Sequence, residues 1–302
     1  MNTRSAPFAP SLPARNLVVP ALLACYLVWG STYLAIRWAL ESFPPFFQMG
    51  TRFLFAGALL LAWVTVRGGP WPSLPQWRNA ALVGTLMLGA GMGLTASAAQ
   101  HVGSGLVAAF IAVVPMLVCL WGLLFGQKPG RMEIAGMVVG LAGVLLLVRG
   151  DGFAATPAAI ASLAAATLAW SLGSVLSTTR SPLAPGAAGF ASEMLCGGVA
   201  LLAVSLGLGE QPHWPPQPLA AAAWLYLVVA GSLVAFSAYL YLLAHASPAL
   251  ATSYAFVNPA IALLLGVTLA GEAVSGAEWG ACAVVLTGVV LIFRGKVARE
   301  ER

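Results

Sequence analysis

The chain has 302 residues, of which 60% are hydrophobic and only 8% charged, and its formal net charge is +5. A soluble domain carries about a quarter charged residues, so this chain lacks the polar surface to coat itself against water, and the bilayer is its natural solvent. The positive sign excludes no membrane role and does not point to nucleic acid: Lys and Arg gather at helix ends and termini, with no basic face interleaved with aromatics.

Residues 1–17 hold Arg4, Arg15 and several prolines and read as a tail. The apolar run after them is too long for a signal-peptide core and ends in no small-x-small site. A helix needs about 20 mainly apolar residues to cross hydrocarbon. Ten spans are predicted, at 18–38, 45–66, 78–98, 104–124, 131–149, 157–178, 186–208, 219–241, 249–269 and 275–293, with a second tail at 294–302. The breaks are chemical: Phe43-Pro44-Pro45, Gly68-Gly69-Pro70-Trp71-Pro72, Gln127-Lys128-Pro129-Gly130 and Pro212-His213-Trp214-Pro215-Pro216. Proline lacks an N–H and clashes with the preceding turn, so its clusters mark loops. No loop has the length of a separate soluble domain. With both termini inside, all 14 Lys and Arg fall on the cytoplasmic side except Arg37 and Arg149 outside and Arg52 within a span. This is the positive-inside pattern, and it fits an even number of spans.

The two halves of the chain resemble each other. A shift of 144 residues carries His101 onto His245, Phe110 onto Tyr254, Pro115 onto Pro259, Gly122 onto Gly266 and Gly136 onto Gly280. A shift of 141 carries Trp29 onto Trp170 and Arg52 onto Glu193. Each half has five helices, an odd number, so the second half crosses the membrane in the opposite sense. The predicted fold is therefore an all-α integral membrane protein of ten transmembrane helices, built as two inverted five-helix repeats at 18–149 and 157–293. Secondary transporters use this architecture and place a substrate site near the midplane between the halves.

Trp29-Gly30-Ser31-Thr32-Tyr33 in the first span, Pro248 to Tyr254 leading to Asn258-Pro259, and Gly271-Glu272 before the last span resemble the drug/metabolite transporter superfamily, and within it the EamA-type ten-helix inner-membrane exporters. The resemblance covers about residues 18–293. It implies a bacterial inner-membrane protein with both termini cytoplasmic, exporting amino acids, other metabolites or toxic compounds. Small four-helix relatives couple to protons through a glutamate in their first helix; here the first span has no acidic residue before Glu41.

Few residues could carry chemistry. Glu193 is the one acidic residue well inside a span, and Arg52 is its basic counterpart. Intramembrane charges are costly and face a cavity or a partner. Glu193 is a candidate proton or cation site, and Arg52 a candidate anion or charge-sensing site; each also has a structural reading, as a group hydrogen-bonded between helices. Their depths leave about 10 Å between backbone levels, so no direct pair is assumed. Trp29 and Trp170 occupy matched places and could stack on an aromatic or cationic substrate or simply pack. Tyr254 and Asn258 share a helical face at i and i+4. Pro115 and Pro259 are candidate helix breaks that free carbonyls or act as hinges. His101 and His245 read as interfacial packing. Gly136-xxx-Gly140, Gly276-xxx-Gly280 and the glycines Gly84, Gly89 and Gly93 read as close helix contacts. Cys25, Cys119, Cys196 and Cys282 fall singly in apolar runs and read as packing.

No HExxH, GxSxG or Walker A pattern is present. No enzyme activity, metal or cofactor is expected. The leading expectation is a secondary transporter of small metabolites, amino acids or drug-like compounds, working by alternating access, with membrane lipid around it and protons as a candidate coupling ion. The competing readings are an intramembrane enzyme acting on lipids, and a channel or structural membrane subunit. Substrate identity, coupling ion and oligomeric state stay open.

Overall fold

The computed structural model describes residues 17–101, 107, 110–111, 113–126, 128–147, 156–270 and 276–300. Arg4, Arg15, Arg149, Glu272 and Arg302 lie outside them. Most of the described residues are helical; they form ten rods and one further short helix, Pro248–Ala251, joined by turns and loops. In the first half these are α1 (Val18–Ala39), α2 (Pro45–Val66), α3 (Leu74–Ala98), α4 (Val114–Leu124) and α5 (Arg131–Leu147). In the second they are α6 (Pro157–Thr178), α7 (Ala187–Gly207), α8 (Pro218–His245), α9 (Tyr254–Ala270) and α10 (Gly276–Glu300). Six rods, α1, α2, α3, α6, α7 and α8, are long and apolar enough to cross a bilayer on their own. With 17 residues each, α5 and α9 fall at the lower end of the spanning range of about 17–25.

The prolines of the loops also start the helices. Pro45, Pro157 and Pro218 each open a rod, where the missing N–H has no intrahelical acceptor to lose. Side-chain caps satisfy other free donors. Ser73 N–H donates to Gln76 Oε1 at 2.7 Å before α3, and Thr156 Oγ1 accepts from Ala159 N at 3.2 Å at the start of α6.

The inversion of the repeat is visible in how mates pack. Along α2, Gly50 meets Leu202 and Gly57 meets Ala191 and Leu195, so α2 and its mate α7 run antiparallel. Along α5, Gly136 meets Gly288 and Ile292 while Gly143 meets Val285, so α5 and its mate α10 also run antiparallel. The remaining contacts cross-match: α1 packs on α8 and α9, and α6 packs on α3 and α4. Exchanging each rod for its mate leaves this list unchanged, as a pseudo-two-fold requires. Two widened π-helical stretches obey the same symmetry, Thr85–Met92 in α3 and Leu227–Phe236 in α8; the 144-residue shift carries Met92 onto Phe236.

The glycine contacts correct one expectation. Gly136 and Gly140 do form a close contact surface, and Gly84 approaches the Glu193 carbonyl so closely that an added Cβ would lie 2.5 Å from it. The partner of Gly136 and Gly140 on α10 is Gly288, however. A Cβ added at Gly276 or Gly280 would meet nothing within 4 Å among the described residues. In α3, Gly93 is tight against Leu201 and Phe46, whereas Gly89 has only ordinary van der Waals neighbours at 3.7 Å or more.

Candidate functional site

Trp29 of α1 and Trp170 of α6, mates in the repeat, meet between the halves with ring centroids 5.8 Å apart and planes at 76°. Tyr254 stands edge-on to Trp29 at 4.7 Å. Tyr239 of α8 completes the cluster: it lies 5.5 Å from Trp170 in a stacked arrangement, 5.2 Å from Trp29 and 5.3 Å from Tyr254. Offset and edge-to-face pairs of this kind are each worth about 0.5–1.5 kcal/mol beyond their buried area. All four rings are buried. Two of the four are anchored by hydrogen bonds, one of them across the halves. Trp29 Nε1 donates to the Gly231 carbonyl at 3.2 Å, inside the π-helical stretch of α8, and the Tyr239 hydroxyl shares a 2.8 Å hydrogen bond with Ser174 Oγ.

Above this cluster lies a cavity of about 70 Å³ lined from both halves. Its walls include Trp29, Thr32 and Ile36 of α1, Met49 of α2, Thr95 of α3, Thr167 and Trp170 of α6, and Tyr254 and Asn258. That is room for roughly five waters or a small solute. The lining is mainly apolar with a few polar groups, the pattern of small-molecule sites. Met49 lies near the start of α2 and Thr95 near the end of α3, while Trp29, Thr167 and Trp170 lie near the middle of their rods. Trp29, Trp170 and Tyr254 form the aromatic floor of the cavity, and Tyr239 packs behind them. Asn258 Oδ1 is buried there without a hydrogen-bond partner among the described residues. Pro115 sits in the first turn of α4 beside the cavity residue Val114. Pro259 lies within α9, which Thr252 and Ser253 separate from the short helix Pro248–Ala251.

Two of the buried charged residues, Arg52 and Glu193, are set apart. Arg52 is 1% exposed, and its Nε donates to Ser232 Oγ at 2.6 Å. Its Nη1 points at Met49 Sδ at 3.7 Å, and its guanidinium lies 4.9 Å from the Phe53 ring centre. Glu193 is fully buried on α7, and neither carboxylate oxygen has a hydrogen-bond partner among the described residues. In the antiparallel contact of α2 and α7, Gly50 lies against Leu202 and Gly57 against Leu195, so Arg52 and Glu193 sit at different levels of it and do not form an ion pair.

One end of the bundle is tied across the halves. Gly209, with φ +67°, turns the chain after α7 so that Glu210 reaches the start of α2. There its carboxylate accepts from Phe46 N at 3.2 Å and Phe47 N at 2.7 Å, two donors that the helix start leaves free. Ser42 reinforces the tie: its carbonyl accepts from His213 N at 2.8 Å, and its hydroxyl from Gln217 N at 3.0 Å. His245 is remote from the site and stacks on Tyr241 at 4.1 Å at the surface; His101 is likewise exposed. Cys25, Cys119 and Cys196 are free; the side chain of Cys282 lies outside the described residues.

Comparison with known proteins agrees with this architecture. The model of the EamA-like transporter family matches the chain twice, over residues 16–149 and 157–294. The chain is 42% identical over 277 residues to a protein of Escherichia coli strain K12 named as the uncharacterized inner membrane transporter YedA, covering 91% of this chain and 90% of that one. It is 29% identical over 277 residues to protein PecM of Dickeya dadantii strain 3937, covering 91% and 89%. A solved crystal structure shares the fold, with a TM-score of 0.73 at 24% identity, covering 95% of this chain and 98% of that one.

Proposed function

This chain belongs to the EamA-like transporter family, and from that premise we propose that it exports small metabolites, amino acids or drug-like compounds across the bacterial inner membrane by alternating access. Each five-helix half, 18–149 and 157–293, acts as one unit, and the two rock about the axis that relates them. Both termini are cytoplasmic, in keeping with the Lys and Arg distribution. The name of the Escherichia coli relative supports the inner-membrane assignment.

The observation that carries this reading is the cavity between the repeats, lined from both and floored by Trp29, Trp170 and Tyr254, with Tyr239 packed behind them. A substrate entering above the floor is blocked below it, as alternating access requires in any one state. Rocking the halves would part the mated tryptophans and tighten the Glu210 end. Asn258 and Thr167 supply hydrogen bonds, and the indoles supply a surface for an apolar or cationic group. Glu193, a buried carboxyl without a hydrogen-bond partner among the described residues, is the group through which a proton gradient drives the cycle.

The test is flux in proteoliposomes holding only this chain, with labelled amino acids and aromatic cations and anions, each with and without an imposed pH gradient. Saturable movement of one class that responds to the gradient is the expected result. Saturable movement indifferent to the gradient would remove proton coupling. No movement of any compound would remove the transport reading for these substrate classes.

A further inference from the structure

Resting on that reading, we infer that Arg52 and Gln48 form an anion-binding end of the substrate cavity, which takes the single carboxylate of a small and otherwise apolar molecule.

The two residues are one helical turn apart on α2 and so share a side of it. Gln48 is fully buried, and neither its Nε2 nor its Oε1 has a partner among the described residues. Arg52 is almost as deeply buried. Its guanidinium has five N–H donors, and among the described residues only Nε donates to an oxygen, that of Ser232. The terminal nitrogens have a thioether as their nearest recorded acceptor, Met49 Sδ. Burying polar donors without acceptors is costly, and more so for a cation. Here an amide and a guanidinium lie side by side with donors in excess and no carboxylate beside them among the described residues. Glu193, the buried acid of α7, has no hydrogen-bond partner among the described residues and does not pair with Arg52. What the pair lacks is a planar anion with two acceptor oxygens, the geometry a guanidinium fork matches.

The place is right for a substrate. Met49 and Thr32 both line the cavity, and both touch the Arg52 environment: Met49 through its sulfur, and Thr32 beside the point where a Gly231 Cβ would meet Arg52 Nη2. Met49 has three flexible torsions and a soft sulfur. Turning it aside opens the guanidinium to the cavity. Gly231 matters for the same reason, because a Cβ there would lie 2.7 Å from Nη2. One fixed charge suits a carboxylate better than a dianionic phosphate, and Arg52 is the one buried cation among the described residues. The rest of the lining, with Ile36, Ile111 and the aromatic floor, suits an apolar or aromatic body.

The experiment is calorimetric binding to the purified full chain in lipid nanodiscs, using 3-phenylpropionate, its neutral amide and 2-phenylethylamine. The wild type is expected to bind the acid at least tenfold more tightly than the amide. Arg52→Gln should erase that preference, and Gly231→Ala, which displaces the guanidinium without removing it, should cut acid affinity at least threefold. Equal binding of acid and amide by the wild type, or no binding of the acid, overturns the inference. So does an acid preference that survives Arg52→Gln in protein that elutes and melts as the wild type does. If Arg52→Gln fails to fold, Gly231→Ala decides, and unchanged acid affinity in that variant overturns the inference. Saturable flux of an amine without acid binding would sink the anion site and leave transport standing. Acid binding without flux of any solute would do the reverse.

Discussion

Arg52 and Glu193 are matched by the repeat, and the fold keeps them apart: Arg52 donates to Ser232 at 2.6 Å, while neither Glu193 carboxylate oxygen has a hydrogen-bond partner among the described residues. A salt bridge between them would neutralise both and leave the bundle with no charge to respond to substrate or proton. Their separation leaves buried charges of opposite sign on two rods that pack directly against each other.

Replacing Glu193 with Gln keeps the side chain's shape and removes an ionisable group that has no partner among the described residues. Gradient-driven flux is expected to fall at least tenfold while the melting temperature in detergent stays within a few degrees of wild type or rises. Normal gradient-driven flux in this variant would contradict the coupling role.

The aromatic floor makes a stability prediction and a functional one. Trp170→Ala removes the ring that stacks on Tyr239 and meets Trp29. Truncating a buried Trp costs about 3–5 kcal/mol, so the melting temperature should drop clearly. Tyr239→Phe deletes only the hydroxyl bonded to Ser174 and should cost about 1 kcal/mol. The variant that keeps the ring should keep most of the flux, and the one that loses it should leak in the absence of a gradient.

Two glycines of α10 should respond oppositely to the same substitution. A Cβ at Gly288 would lie 2.5 Å from the Gly140 backbone nitrogen and 2.7 Å from the Gly136 carbonyl. Backbone cannot yield as a side chain can, so Gly288→Ala should cost about 1–3 kcal/mol. Gly280 meets nothing within 4 Å among the described residues, and Ala there should be neutral or stabilising by up to about 1 kcal/mol through helix propensity. Thermal melts of the two purified variants check this.

Glu210→Ala removes the carboxylate that binds two N–H groups at the start of α2. Loss of such a cap costs about 1 kcal/mol. In the rocking account it also loosens the tie between the α1–α2 turn and the loop before α8. A cysteine placed at Ile36, in the cavity wall, should then react faster with a membrane-impermeant maleimide than in the Glu210 background.

Much of this was legible in residue types. Proline and glycine clusters locate the turns because they remove donors or allow left-handed backbone, and the prolines also open α2, α6 and α8. The paired tryptophans stood out because Trp is rare enough for a match between halves to carry weight, and Trp29, Trp170, Tyr254 and Asn258 all line the one cavity. Tyr239 was missed because its mate in the first half is Thr95, so the repeat comparison shows no identity there. Gln48 and Met49 were missed because burial of a polar or thioether side chain beside a cation is a tertiary fact. The π-helical stretches of α3 and α8 have no composition that separates them from the surrounding helix. The α10 contact at Gly288 rather than Gly276 and Gly280 shows that a small-xxx-small spacing names a surface able to pack, not its partner.

The most direct test of the transport account is solute counterflow. Proteoliposomes of the purified chain are preloaded with unlabelled compound, diluted into labelled compound, and followed over time. The account predicts transient accumulation of label above equilibrium, saturating with concentration, because one site faces the two sides in turn. Label that only equilibrates, at a rate linear in concentration, would mean an open pore and contradict alternating access.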